Sequence, residues 1–279
     1  FVADAAGRLR GVVSLRGLVV APPEALIEEI MNPDVISVGQ NADQEEVARL
    51  MSRYDLLALP VVDESDVLLG VVTVDDAIDV MQQEATEDIQ RLGGAEPLER
   101  SYFDTSPLGI MRKRLGWLLL LFLTATLTGS VIRLFEDEIR MVAALVVFIP
   151  LLIGTGGNAG SQTTATIIRS LATGEIGPRE FLRVWWHEAR VAVLLGSAMA
   201  VAGFLCAVAW DADTTLALTV AVSTACLIFW AASVGALLPL AAAQLGFDPA
   251  LVSGPVMSTL VDATGLLIYF SIARLILGL

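Results

Sequence analysis

Apolar and polar positions alternate in short blocks over the first 80 residues and then give way to long apolar runs. VADAAGRLRGVVSLRGLV reads as strand, turn, strand and the start of a helix, ALIEEIM as a short helix and VISV as a strand. Asp43–Tyr54 predicts a helix with Val47, Leu50 and Met51 on its apolar face. LALPVVDESDVLLGVVTVDDAIDVM gives strand, turn, strand and helix again, and its DVLLGVVTVDDAI echoes GRLRGVVSLRGL near the start, an internal repeat. Residues 81–110 read as an acidic helix, a Gly-Gly break and a turn-rich linker. Apolar runs follow at about 116–134, 141–171, 190–210, 216–245 and 249–277. A bilayer crossing needs roughly 20 mostly apolar residues. The fold class expected is therefore an α-helical membrane protein with five transmembrane helices and a small N-terminal α/β region.

Two of the apolar runs carry polar groups that a plain spanning helix does not need. The second, IPLLIGTGGNAGSQTTATIIRSLATGEI, holds Gly154, Gly156, Gly157 and Gly160, with Asn158 and Gln162 four apart on one face and Thr155 and Thr166 extending it. Such a run predicts an interrupted or closely packed span, because irregular backbone at membrane depth is tolerated only against protein or water. Its amides can hydrogen-bond the water shell of an ion, and helix packing alone is the other reading. A phosphate loop is not indicated, since the Lys of that motif is missing. The last run carries Asp262 near its middle, with Arg274 more than three turns away. An unpaired carboxylate at that depth costs about 3 kcal/mol or more, so it should face a bundle interior or a wet cavity. Gly254, Ser258, Asp262, Gly265 and Tyr269 share one stripe, small and polar enough to pack on a helix or line a pore, while the opposite faces suit lipid. Asp262 then reads either as a structural hydrogen-bond acceptor or as a cation or proton site.

Charge sharpens the division. Of the net −14, residues 1–110 carry 21 Asp and Glu against 7 Lys and Arg, while residues 111–279 carry 10 of each. A region this acidic repels itself unless cations collect on it, and it lacks the basic footprint of a nucleic-acid binder. Glu84, Glu87 and Asp88 sit at i, i+3 and i+4, either a solvated face or an acidic surface bridged by a divalent cation. Cys206 and Cys226 lie in apolar runs and give no disulfide framework, and a single histidine, His187, excludes the ordinary zinc sets. Asp262 with Asn158 or His187 is a thin catalytic set, so an enzyme is not expected. Arg112-Lys113-Arg114 ahead of the first run puts the N-terminal region in the cytoplasm, and five spans put the C-terminus outside. Arg169, Arg179, Arg183 and Asp248 then fall inside, and Glu136, Asp137, Glu138, Asp211 and Asp213 outside, with Trp185-Trp186 as an interfacial pair. No signal peptide opens the chain, and Phe1 in place of an initiator Met reads as a fragment.

LPVVDESDVLLGVVTVDDAIDV resembles the second half of a CBS domain, and IMNPDVISVGQNADQEEVARLMSRYDLLALPVVD its first half. Residues 33–82 would be the second of two motifs and residues 1–32 the tail of the first. CBS pairs often bind adenine nucleotides, and the ribose-binding pattern stands here as Thr73 and Asp76, whereas the first repeat has Ser14 with Gly17 at the Asp position. Capping of the following helix by Asp75 and Asp76 is the other reading. With the run from Pro150 to Gln162 and a last span carrying DPALVSGP and VDATGLLIYF, the chain resembles the MgtE magnesium channel/transporter family over nearly its whole length. The resemblance implies a connecting (plug) helix and linker at 83–110, a pore domain at 111–279, and a homodimer in the cell membrane with one pore on its two-fold axis. It implies that Asp262 from each subunit holds Mg²⁺ at the centre, with Asn158, Gln162, Gly254 and Ser258 lining the path. Mg²⁺ dehydrates reluctantly and is often held by one or two carboxylates through its waters. It further implies that cytosolic Mg²⁺, bridging Asp43, Glu45, Asp55, Asp76, Glu84, Glu87, Asp88 and Asp248, closes the pore, and that ATP binds the CBS region. The family's acidic N-terminal domain and most of its first CBS motif have no counterpart here. The alternative is a nucleotide-regulated CBS-containing transporter of another ion, though no intramembrane Lys or Arg is placed to attract an anion.

Overall fold

The short N-terminal blocks fold into two small sheets with flanking helices. In the computed structural model the described residues are 1–250 and 256–279, and they form two units, Phe1–Thr86 and Glu87–Leu279. In the first unit β1 (Val2–Ala3) pairs antiparallel with β2 (Leu9–Gly11), and α1 (Leu15–Val20) follows, its start capped by Ser14, whose hydroxyl accepts the Gly17 N–H at 3.0 Å. After α2 (Ile27–Ile30), β3 (Val38–Gly39) runs parallel to β4 (Ala58–Val62), which pairs antiparallel with β5 (Leu68–Thr73). Between β3 and β4, α3 (Gln44–Arg53) buries Val47, Ala48 and Met51 against Val38, Leu59 and Ala77, with Leu50 at the margin. α4 (Val74–Leu92) then runs on to the Gly93-Gly94 break, where Gly94 takes a left-handed φ of 70°. The acidic segment from residue 83 is thus continuous with the helix that closes the second motif.

The second unit contains α5 (Pro107–Leu134), the short α6 (Glu136–Met141), α7 (Leu145–Ala172), α8 (Phe181–Ala209), α9 (Thr214–Gln244) and α10 (Pro249–Leu277). Among the described residues five of these, α5 and α7 to α10, are long and apolar enough to cross a membrane. The chain is a multi-pass membrane protein. α9 is the central helix, packed by α7, α8 and α10, with Ala217, Val220, Ile228, Ala231, Ala236 and Leu240 fully buried. Three spans differ from the sequence expectation. α5 starts at Pro107 rather than near 116, with Pro107 at its first position and the Ser106 hydroxyl accepting the Gly109 N–H at 3.1 Å, so the basic triplet lies within the helix. α8 starts at Phe181 rather than near 190, because Val184 and Ala189 are buried there and the Trp185 indole donates to Ser233 of α9 at 3.2 Å. α7 is not interrupted. It continues through Pro150 and the glycines, of which Gly156 and Gly160 serve close approach: a Cβ on Gly160 would meet the Met257 methyl, and one on Gly235 of α9 would lie 2.7 Å from the Gly160 carbonyl oxygen, whereas Gly154 and Gly157 face open space.

At the other end of the bundle, Arg274 of α10 donates to buried Glu138 of α6 through Nε at 2.9 Å and through its terminal nitrogen. The guanidinium lies 5.3 Å from the Phe135 ring, which stacks on Phe270 at 5.0 Å. The Arg274 hydrogen bonds hold the Glu138 carboxyl below its usual range. A carboxyl depressed on folding contributes stability above its unfolded pKa of about 4.3 and loses it as pH falls through the lower folded value. Glu138→Gln is therefore expected to lower the melting temperature at pH 7 and to flatten its fall below about pH 4; thermal melts of the detergent-solubilised chain across pH check this.

Candidate functional site

One arc of α10 faces protein. Met257, Val261, Leu266, Tyr269, Phe270 and Ala273 are each 1% exposed or less, and the Tyr269 hydroxyl donates to the Leu145 carbonyl at 3.0 Å. The opposite side, with Val256, Leu260, Leu267 and Leu275, is exposed and apolar. Asp262 lies on the protein-facing arc, one turn from Ser258 and two from Tyr269, and is half-buried, as is Ser258, between sealed Val261 and Gly265. Among the described residues no hydrogen bond or ion pair reaches Asp262. Nearby, the Thr259 and Thr124 hydroxyls meet at 3.0 Å and tie α10 to α5. Of the stripe expected on α10, Gly265 and Tyr269 are packed against the bundle, Ser258 and Asp262 are half-buried, and Gly254 lies outside the described residues.

α7 is two-sided. Its packed side buries Leu152, Gly156, Ala159, Gly160, Thr163 and Thr164. Its other side exposes Gly154, Asn158, Ser161, Gln162 and Thr166. The Thr155 and Thr166 hydroxyls donate to helix carbonyls of Leu151 and Gln162, at 2.7 and 2.9 Å, which leaves Asn158, Ser161 and Gln162 as the open polar groups of that side among the described residues. A polar stripe on a membrane helix needs protein or water against it. Sequence reading passed over Glu188 of α8, half-buried and accepting from Thr163 at 3.4 Å. Its signal was the early start of α8, hidden by the charges around it.

The acids of the first unit are spread along it. Asp43 caps α3, accepting the Glu45 N–H at 2.8 Å, and Asp55 takes a left-handed φ of 51° just after that helix. Glu84 accepts from Gln44 at 2.8 Å. Asp76 accepts from the Thr73 hydroxyl at 2.9 Å and from the Thr73 N–H at 3.4 Å, a cap on the first turn of α4. A cavity of about 410 Å³ in this unit is lined by Gln40, Asn41, Glu46, Asp63 and Glu64, and by neither Thr73 nor Asp76. In the second unit Glu87 and Asp248 converge on Arg91, a residue that sequence reading did not single out, while Asp88 follows Glu87 on α4. Among the described residues no three His, Cys, Asp or Glu side chains gather as a metal-binding group.

The family model described as "Divalent cation transporter" matches residues 149–272, and a CBS domain model matches residues 27–83. The magnesium transporter MgtE of Thermus thermophilus is 47% identical to this chain over 279 residues, which cover 99% of this chain and 61% of that protein. The magnesium transporter MgtE of Bacillus subtilis is 38% identical over 273 residues, 98% of this chain and 60% of that protein. A crystal structure of the cytosolic domain of the Mg²⁺ channel MgtE in complex with ATP is 59% identical over 29% of this chain and 32% of that one, with a TM-score of 0.28. The chain thus spans about three fifths of the length of the curated relatives it matches.

Proposed function

Because the chain belongs to the MgtE family, we propose that it forms a Mg²⁺ path across the cell membrane, with Asp262 as the central ion site. The observation that carries this reading is the Asp262 carboxylate, at mid-span on the protein-facing arc, half-buried and without a protein partner among the described residues. A small hard cation with its water shell is what such an isolated carboxylate accommodates. Two copies related by a two-fold axis would bring two Asp262 side chains to one ion and would cover the open amide side of α7, with Asn158 and Gln162 toward the path. The basic triplet Arg112–Arg114 sets the N-terminal unit in the cytoplasm and the C-terminus outside.

Regulation follows from charge. Asp43, Glu45, Asp55, Asp76, Glu84, Glu87, Asp88 and Asp248 supply carboxylates that cytosolic Mg²⁺ draws together, biasing the protein toward a closed state when internal Mg²⁺ is high. ATP at the CBS region belongs to the same proposal, with Thr73 and Asp76 as the ribose-binding pair. A ribose held there takes Asp76 from Thr73. The competing reading, a nucleotide-regulated transporter of another ion, separates in one experiment. In reconstituted bilayers, current carried by Mg²⁺ and suppressed by Mg²⁺ on the cytoplasmic side is expected. Equal current with Mg²⁺ replaced by an impermeant organic cation would assign the path to the accompanying anion.

A further inference from the structure

Glu87 and Asp248 would face each other as like charges, but a guanidinium stands between them. Arg91, in the last turn of α4, bonds Glu87 one turn back and Asp248 at the start of α10, 157 residues away in sequence. All three side chains are largely withdrawn from solvent, at 26%, 23% and 31% exposure for Arg91, Glu87 and Asp248. Asp248 divides its oxygens: Oδ1 accepts the Ala250 N–H at 2.8 Å and caps α10, and Oδ2 takes Arg91. The Arg91 fork reaches both carboxylates through its terminal nitrogens, a geometry that suits guanidinium better than ammonium. Among the described residues its Nε is buried with no hydrogen-bond partner, and the two carboxylates are the contacts that hold the side chain.

We propose that Arg91 is a tethered cation that fastens the end of α4 to the start of α10 and competes with divalent cations for the Glu87 and Asp248 carboxylates. The proposal rests on the reading of those two acids as cation-sensing groups. One positive charge between two carboxylates leaves a net −1. A divalent cation neutralises both but must first displace the guanidinium. Arg91 thereby sets how much Mg²⁺ the pair requires, and without it the pair both repels itself and binds a divalent cation more readily.

Amide hydrogen exchange of residues 87–98, measured by mass spectrometry on the full chain in detergent with and without Mg²⁺, tests this. The wild type is expected to exchange slowly in both conditions. Arg91→Gln is expected to exchange at least severalfold faster without Mg²⁺ and to return to the wild-type rate when Mg²⁺ is added. Asp248→Asn, which keeps an oxygen to cap α10, should also exchange faster and should not respond to Mg²⁺. Arg91→Gln exchanging at the wild-type rate without Mg²⁺ would remove the fastening, and fast exchange that Mg²⁺ leaves unchanged would remove the competition. The readout needs no ion flux, so a failure of the transport reading appears separately in liposomes.

Discussion

Asp262→Ala is expected to reduce Mg²⁺ flux roughly 100-fold or more while leaving the fold intact. A hydrogen bond to a charged group contributes about 1.5–3 kcal/mol, and two copies on one path would double the loss, at tenfold per 1.4 kcal/mol. The fold should survive because no partner among the described residues depends on the carboxylate and because alanine favours the helix. Asp262→Glu keeps the charge but moves it by one methylene, so intermediate flux is expected. Dye-reported Mg²⁺ entry, read beside thermal melting, separates loss of the site from loss of the protein. Unchanged flux in the alanine variant would return Asp262 to a structural role and move the ion path toward Asn158 and Gln162.

Gly235→Ala is expected to be the most damaging small substitution in the bundle. Its Cβ would lie 2.7 Å from the Gly160 carbonyl oxygen, 3.0 Å from the Thr164 hydroxyl and 3.3 Å from the Thr163 Cβ. The first of these is backbone and cannot swing aside, and the Thr164 hydroxyl already donates to the Gly235 carbonyl at 3.2 Å. Overpacking of this kind costs about 1–3 kcal/mol. Gly129→Ala in α5 is the control: its Cβ meets open space, so it should be neutral or slightly stabilising. Gly160→Ala should fall between them, because its tightest neighbour is the flexible end of Met257. Melting temperatures of the three variants in detergent rank the contacts.

Periodicity made the five spans legible, and part of the side of α10 that faces protein: Gly265 and Tyr269 pack there, but so do Leu266 and Phe270, whose apolar character suits lipid equally well. Both depend on local spacing. Of the two readings of α7, close packing holds and interruption does not: α9 and α10 approach Gly156 and Gly160 closely, and that packing sustains a continuous helix despite residues that locally favour a break. Charge in α8 hid two helical turns that Trp185 anchors to Ser233. Long-range pairs left no trace in the sequence. Glu87 and Arg91 stand at helical spacing, yet the acidic run around them masks Arg91, and Asp248 enters from 157 residues away, as Arg274 reaches Glu138 across 136. In a chain with 31 acids, a carboxylate that caps a helix, such as Asp43 or Asp76, reads the same as one that waits for a cation.

The most direct measurement is Mg²⁺ entry into liposomes that contain the unaltered chain and a Mg²⁺-sensitive dye, with inward Mg²⁺ gradient and no internal Mg²⁺. Entry well above that of protein-free liposomes, lost in Asp262→Ala and falling as Mg²⁺ is raised on the side that holds the N-terminal unit, is the expected result. Entry no faster than in protein-free liposomes, from protein shown by melting to be folded, would contradict a Mg²⁺ path through this chain.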